Sequence, residues 1–221
     1  MRTLRILAVL VLLHAAASAA SKPHVIALGK PQPVKLFVGP SDSRTVDLSV
    51  SPLFVDTKLK EYTTGKPHEV TDREFVIRRV FRINDALPDE ARKTPRWIWQ
   101  LGGWLLVDRS SGRITQIKLP NFDPFYSEVS WYRDYAAYCG ITDNSEKLEA
   151  IVMQIGVKKP LYRKELGKVK GAESADSECN APHWERQPAR VTFLPTTGEK
   201  CTVTVNGHLV DEAPDNDSDE P

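Results

Sequence analysis

The stretch Asn121-Phe-Asp-Pro-Phe-Tyr-Ser-Glu-Val-Ser-Trp-Tyr-Arg-Asp-Tyr-Ala-Ala-Tyr-Cys-Gly140 decides the fold of this 221-residue chain. It places seven aromatic side chains in twenty residues, inside a region, 97–166, that holds four of the five tryptophans. An aromatic side chain buries on the order of 150–250 Å², so the run forms either the main core or a binding surface. Alternation favours the core at residues 135–139, since odd and even positions point to opposite faces and both sets are apolar or aromatic, which is typical of a strand buried on both sides.

Short β-rich runs on both sides of this stretch predict an all-β, mainly antiparallel fold. Turn signals separate them, notably Thr64-Gly-Lys-Pro67 and Arg109-Ser-Ser-Gly112, where glycine supplies the positive φ of a hairpin. Such close spacing indicates a single β-rich domain, sandwich-like or with a propeller-blade-like meander. The predicted strands are residues 24–28, 34–38, 45–50, 54–63, 103–108, 113–119, 129–131, 135–139, 148–154 and 160–166.

The segment 71–83 carries two conflicting signals. Thr71-x-x-Glu74 is a capping-box pattern for a helix start. Its β-branched and aromatic residues at period two instead favour a strand with Phe75, Ile77, Phe81 and Ile83 on one face, and we predict the strand. Arg79 then falls on the apolar face, where an arginine usually pairs with a carboxylate.

Residues 129–166 resemble a known repeat. The order Ser130-Trp131-x-x-Asp134, Ala137-Tyr138, a polar turn, Ala150-Ile-Val-Met153 and a final strand from Lys159-Pro160 is similar to a blade of the TolB-type β-propellers of the periplasm. The usual Pro-Asp-Gly is replaced here by Arg133-Asp-Tyr135. A closed propeller needs at least four blades of roughly 40 residues, so the resemblance implies one blade-like meander. The chain as a whole resembles uncharacterised exported bacterial proteins, a likeness that supplies no function.

Composition divides the chain into five predicted segments. Residues 1–20 are typical of a secretory signal peptide, with Arg2 and Arg5 before a short apolar run and a small-residue cleavage site. That run is too short for the ~20 residues of a membrane-spanning helix, so we expect a secreted or periplasmic protein. The other segments are an N-terminal β unit (21–96), an aromatic-rich β-meander (97–170), a disulfide-linked C-terminal β segment (171–210) and a disordered acidic tail (211–221).

Three cysteines in an exported chain predict one disulfide and one leftover thiol. Cys179 and Cys201 flank a segment with two strand-like runs and are the predicted pair. Cys139 lies inside the aromatic strand and is then a small buried hydrophobe, with a reactive thiol as the alternative.

Exposed aromatic residues are the predicted binding surface. Phe122, Phe125 and Tyr126 lie around prolines in a loop, and Trp97 and Trp99 share one strand face and form a second platform. Tryptophan and tyrosine stack on sugars while their polar edges bond hydroxyls. We therefore expect a non-catalytic protein that binds a cell-envelope glycan or an exported protein, with a purely structural accessory domain as the alternative. The signal's two arginines leave 28 basic against 29 acidic side chains, so nucleic-acid binding is not expected.

No metal or cofactor site is predicted. The histidines beyond residue 20 are scattered, and Asp215-Asn-Asp-Ser-Asp219 lacks the glycine and final glutamate of a calcium loop. A secreted, glycosidase-like hydrolase is the catalytic alternative, because glycoside hydrolysis uses two carboxylates. Its candidate residues are Asp108, Asp123, Glu128 and Asp134.

Overall fold

A computed structural model describes residues 23–38, 44–88, 94–142, 147–169, 179–196 and 199–212. These residues form fifteen strands, and none of them lies in a helix. The all-β, mainly antiparallel fold predicted from the sequence is therefore confirmed. The predicted signal peptide, residues 1–20, and residues 213–221 of the predicted acidic tail lie outside the described residues, whereas Asp211 and Glu212, the first two residues of that predicted tail, lie in the last strand. The strands are β1 Ile26–Leu28, β2 Gln32–Val38, β3 Arg44–Val55, β4 Lys58–Glu69, β5 Glu74–Asn84, β6 Trp97–Asp108, β7 Ile114–Ile117, β8 Val129–Tyr132, β9 Tyr135–Ile141, β10 Lys147–Gln154, β11 Tyr162–Lys168, β12 Cys179–Arg186, β13 Ala189–Pro195, β14 Cys201–Asn206 and β15 Leu209–Glu212.

Strands β1 to β7 form one seven-stranded sheet that closes on itself. Strands β2 to β6 are the ring, each antiparallel to its neighbour except at the closure, where β2 and β6 pair in parallel through Leu36 and Trp99. The four antiparallel pairings all join strands that are consecutive in the chain, which gives an up-and-down order. With an odd number of alternating strands, the first and last run in the same direction, so only a parallel closure is available. β1 extends the sheet beside β3, and β7 beside β6.

Two four-stranded antiparallel sheets follow, β8 to β11 and β12 to β15, each with its strands paired in chain order. Strands β4 to β7 have the same order within the first sheet. The chain from β4 onward is thus three successive four-stranded meanders, which we name meander I (β4–β7), meander II (β8–β11) and meander III (β12–β15). The first sheet continues past the expected unit boundary at residue 96, since β6 and β7 belong to it.

Meander II lies between the other two, and β9 is buried on both faces as predicted. One face, with Tyr135, Ala137 and Cys139, packs against meander III in the largest core cluster. The opposite face, with Ala136 and Tyr138, packs against Trp131 and the segment that leads in from meander I. The aromatic run is therefore core between residues 135 and 139. A third cluster, centred on Leu53, Phe75, Ile77, Leu105 and Val107, fills the other side of meander I.

The strand predicted within residues 71–83 is confirmed from Glu74 onward as β5, and so is the role of Arg79. Its Nε donates to Glu61 Oε2 at 2.9 Å in a part-buried ion pair. The Thr71 hydroxyl accepts from the Glu74 amide at 3.0 Å. This hydrogen bond of the capping-box pattern therefore stabilises the turn before β5, and no helix begins there.

The predicted turn at residues 64–67 is wrong. The chain turns earlier, at Asp56 and Thr57, which have φ of 50° and 67°. Residues 64–67 lie inside β4, where the pairing with β5 shifts register and Gly65 takes a φ of 77°. The predicted continuous strand 54–63 is accordingly split between β3 and β4.

The predicted Cys179–Cys201 disulfide is also wrong, because Cys179 bonds to Cys139. Cys179 and Cys201 lie on β12 and β14, with β13 between them. Two strand spacings amount to roughly 9.5 Å, and a disulfide requires Cα atoms within about 7 Å. Cys139 lies on the facing sheet, 6.2 Å from Cys179 between Cα atoms. Cys201 is the free, buried thiol.

Candidate functional site

The predicted contact loop, around Phe122 to Tyr126, is held firmly against the core. Asp123 accepts from the amides of Phe125 and Tyr126 at 2.7 and 3.2 Å, and the Ser127 hydroxyl donates to the Cys139 carbonyl at 2.7 Å. Phe125 is 48% exposed, whereas Tyr126 is half-buried. Of the two, only Phe125 offers a large free face.

Phe122, the third predicted residue of that loop, points inward. Its ring meets Tyr138 edge to face at a centroid distance of 5.8 Å. Arg78 lies over the same ring at 5.7 Å and donates to the Pro124 carbonyl. Desolvation lowers the pKa of Arg78, and the nearby carboxylates of Glu128 and Asp123 oppose that shift. Phe122 therefore works as a packing residue that ties the loop to meander I.

The second predicted platform lies near the parallel closure of the first sheet. Trp97 is 58% exposed, and Trp99 is half-buried, edge to face with Tyr62 at 5.1 Å. Arg82 lies among these rings, 5.3 to 6.0 Å from the centroids of Trp99, Trp97 and Tyr62. The cation covers part of all three rings, including Trp97, and only the exposed remainder of Trp97 is open to a ligand.

A larger concave site, which we name the cleft, lies where the three meanders meet. It has a volume of about 730 Å³, within the range of roughly 300–1,000 Å³ usual for ligand sites. Each meander contributes its first strand and first hairpin turn, so equivalent parts of three consecutive units surround one space. The side chains that define it are His68, Trp131, Tyr132, Arg133, Trp184 and Arg186.

Aromatic contacts fix the walls of the cleft. Trp131 stacks on His68 at 6.1 Å and meets Trp104 edge to face at 5.3 Å, so it leans on meander I. Trp184 stacks on Tyr132 at 5.4 Å and donates from Nε1 to the Ser130 carbonyl at 3.1 Å, so it leans on meander II. Each tryptophan thus packs against the preceding meander and joins the units around the cleft.

A short repeat underlies this arrangement. Trp131-Tyr-Arg133 spans the end of the first strand of meander II and the first residue of the turn that follows, and Trp184-Glu-Arg186 ends the first strand of meander III. The tryptophan packs inward and the arginine, two residues later in the hairpin, is exposed. This Trp-x-Arg pair is the sequence signal that could have located the cleft.

Arg133 occupies a strained backbone position. Its φ is 51°, and an L-residue in this region costs about 1–2 kcal/mol. The hairpin has two residues between Tyr132 and Tyr135, a type for which glycine is usual at the first position. His68 Nε2 lies 2.8 Å from the Arg133 carbonyl oxygen, which holds the turn, and the guanidinium lies over Tyr132 at 5.3 Å. Strain of this kind is concentrated at functional sites.

The cleft has an excess of positive charge. Arg133 and Arg186 are exposed at its rim, and Glu69 is its acidic lining residue among those that the structure describes. Arg109 donates two hydrogen bonds to the Glu69 carboxylate, at 2.7 and 2.8 Å. These bonds lower the pKa of Glu69 and raise the pKa of Arg109. The one acidic group is therefore neutralised, and the two rim arginines are left to attract an anion.

The Glu69–Arg109 pair predicts an acid-dependent loss of stability. The folded-state pKa of Glu69 lies below its ordinary value of 4.5, so the pair contributes fully above that pH and less as the pH falls through the lowered pKa. We expect the melting temperature of Glu69→Gln to fall less steeply than that of the wild type below about pH 4.5, measured by circular dichroism between neutral and acidic pH. Equal slopes for the two proteins would contradict this assignment.

The carboxylates considered for hydrolysis serve local structure. Asp108 accepts from the Ser110 and Ser111 amides and from the Ser111 hydroxyl, which lowers its pKa. Asp134 accepts from Gln154 Nε2 at 2.7 Å. Asp123 caps its own loop as described above, and Glu128 is exposed beside it. They are distributed over three separate turns, and none of them lines the cleft.

The described residues contain no group of three or more His, Cys, Asp or Glu side chains placed to hold a metal ion. The Asp215–Asp219 segment lies outside that part of the chain. Within the same described ranges, no helix has the length and apolarity needed to cross a membrane.

Sequence reasoning missed most of the cleft. His68 and His183, far apart in the sequence, both line it, and Trp184 and the two arginines were not singled out. The predicted residues Phe122, Phe125, Tyr126, Trp97 and Trp99 lie elsewhere. Comparison of the chain with protein-family models, with curated proteins and with solved structures gave no match.

Proposed function

We propose that the protein acts outside the cytoplasm as a binding protein whose cleft takes an anionic glycan of the cell envelope. The observation that carries this proposal is the convergence of Trp131, Tyr132 and Trp184 with Arg133 and Arg186 in one cavity. Aromatic side chains give stacking surfaces for sugar rings, and arginine binds carboxylate and phosphate in a bidentate manner.

Export is the second part of the proposal. The Cys139–Cys179 disulfide supports it, because disulfides persist in oxidising compartments. The signal-like residues 1–20 support it independently. A glycan of the envelope is the ligand that such a location would supply.

Thermal melting against matched glycans tests the proposal. The protein is titrated with uronic-acid oligosaccharides, with soluble peptidoglycan fragments and with neutral oligosaccharides of equal length. A ligand at about 100 times its Kd adds about 2.7 kcal/mol of stability, a rise of roughly 5–10 °C at this chain length. A dose-dependent rise with an anionic glycan and not with its neutral counterpart is expected. A flat response to every glycan would reject the glycan and direct the search to an exported protein partner.

Arg133→Gly gives the sharpest variant, because stability and binding should change in opposite directions. Glycine removes the strain at φ 51° but also the contact with Tyr132, so the free energy of unfolding should rise by about 0.5 kcal/mol. Loss of a charge-assisted hydrogen bond should weaken binding of the anionic glycan about tenfold. Calorimetric titration and melting measure the two effects.

Matched arginines on meander III provide the control. Arg186 lines the cleft, whereas Arg190, four residues later and also exposed, does not. Arg186→Gln should weaken binding, and Arg190→Gln should leave it unchanged. Equal losses in both variants would show that only the overall charge matters, and the cleft would then not be the site.

A further inference from the structure

We propose that a second cavity, the groove between meanders I and II, binds single-chain amphiphiles with an anionic head group, of the fatty-acid class. It shares Trp131 with the cleft, is otherwise lined by different residues, and has a volume of about 470 Å³, which is sufficient for a small ligand. One wall is the β6–β7 hairpin, and the other is β9, β10 and the turn that follows β10.

The groove is lined mainly by aliphatic and aromatic side chains, with polar side chains on both walls. Such a surface gains free energy by burying hydrocarbon and offers few groups for a polar ligand. The apolar side chains that form its walls include Leu106, Ile117, Leu119, Trp131, Met153 and Val157.

Charge selects the head group. Lys118 and Lys158 both line the groove and are exposed, one on each wall. None of the described residues that line it is acidic, and within the described chain neither lysine forms an ion pair. An apolar slot with two unpaired cations at its rim is complementary to a hydrocarbon chain that ends in a carboxylate.

The backbone of the turn after β10 supports the inference that the groove has an open end beside Lys158. The turn after β10 closes through the Val157 amide, which donates to the Gln154 carbonyl at 3.1 Å. Gly156 has a φ of 82°, and a Cβ built there would have no neighbour within 4 Å. Gly156 and Lys158 are both exposed, so a head group can reach the lysine at the edge of the groove while the chain lies between the sheets.

Calorimetric titration with octanoate, decanoate and dodecanoate, below their micelle concentrations, tests the proposal, with decanol as the uncharged comparison. The Kd should fall about fourfold for each added methylene group until the groove is full, and decanoate should bind about fivefold more tightly than decanol. Absence of binding, or a Kd independent of chain length, would overturn the proposal.

Two variants and a matched pair locate the site. Thr115 is exposed on β7 and lines the groove, so Thr115→Trp should fill the space from its edge and abolish binding, with aromatic residues well accepted in strands. The double variant Lys118→Gln and Lys158→Gln should remove the preference for decanoate over decanol. Lys159→Gln with Lys168→Gln, equal in charge but outside the groove, should keep it. If this control pair lost the preference equally, the lysines would act only through overall charge, and the assigned head-group site would be wrong.

Discussion

Replacing Cys139 and Cys179 together by alanine is expected to destabilise the protein by about 4 kcal/mol, or to lower its melting temperature by roughly 10 °C. The bond closes a loop with a sequence separation of 40 residues, and a loop of this size restricts the unfolded chain strongly. It also joins β9 of meander II to the first residue of β12 in meander III. Loss of the bond should therefore loosen the contact between meanders II and III.

The third cysteine provides the control for this experiment. Cys201 is buried, and its sulfur lies 3.3 Å from the Tyr162 hydroxyl. Cys201→Ala should cost only about 1 kcal/mol, since no covalent bond is lost. Peptide mapping of the oxidised protein checks the pairing directly. A Cys179–Cys201 peptide, or equal melting of the double and single variants, would contradict the fold described here.

Much of the strand pattern could be predicted because the side chains of a strand alternate between its two faces, and this alternation can be read from a short segment of sequence. In β9 both alternating sets of residues are apolar or aromatic, and such a strand must be covered on both sides. In β5 the period-two pattern predicted a strand correctly despite the capping-box signal. The expected pairing of Arg79 with a carboxylate is also observed, with Glu61 as the partner. Each of these predictions rests on residues within one short segment.

The errors arose where distant residues decide the local backbone. Asp56 turns without the glycine that usually marks such a turn, because His24 Nδ1 lies 2.6 Å from its carboxylate and the Val25 amide donates to the same group at 3.0 Å. Residues 64–67 carry a strong turn signal, yet β4 continues through them because pairing with β5 resumes at His68. The order of strands in space, which the sequence does not display, likewise decided the disulfide.

The cleft escaped prediction for the same reason. His68 contacts the Arg133 carbonyl across 65 residues of sequence, and Trp184 reaches Ser130 across 54. The sequence displays only the repeated Trp-x-Arg, and its meaning depends on knowing that each copy lies where the first strand of a meander meets its hairpin turn. A site built from equivalent turns of successive units becomes recognisable once the units themselves are known.

Tyr138→Ala is expected to cost about 3–5 kcal/mol, the second large effect predicted for this protein. Tyr138 is fully buried, and its ring contacts Phe122 while its hydroxyl donates to the Pro120 carbonyl at 2.7 Å. Burial also raises the pKa of this hydroxyl, so the group remains a neutral donor. Removal of the ring leaves a cavity under the loop that joins meanders I and II.

Tyr138→Phe separates the hydrogen bond from the packing. Phenylalanine keeps the ring against Phe122 and leaves the Pro120 carbonyl without its donor, which should cost about 1 kcal/mol. Denaturant unfolding gives both free energies, and hydrogen exchange at the amides of residues 121–127 shows whether the loop opens. We expect the alanine variant to accelerate exchange there far more than the phenylalanine variant, because the loop rests mainly on the ring. Equal acceleration would show that the hydrogen bond holds the loop, and Phe122 would then be free to leave the core and serve as part of an exposed binding surface.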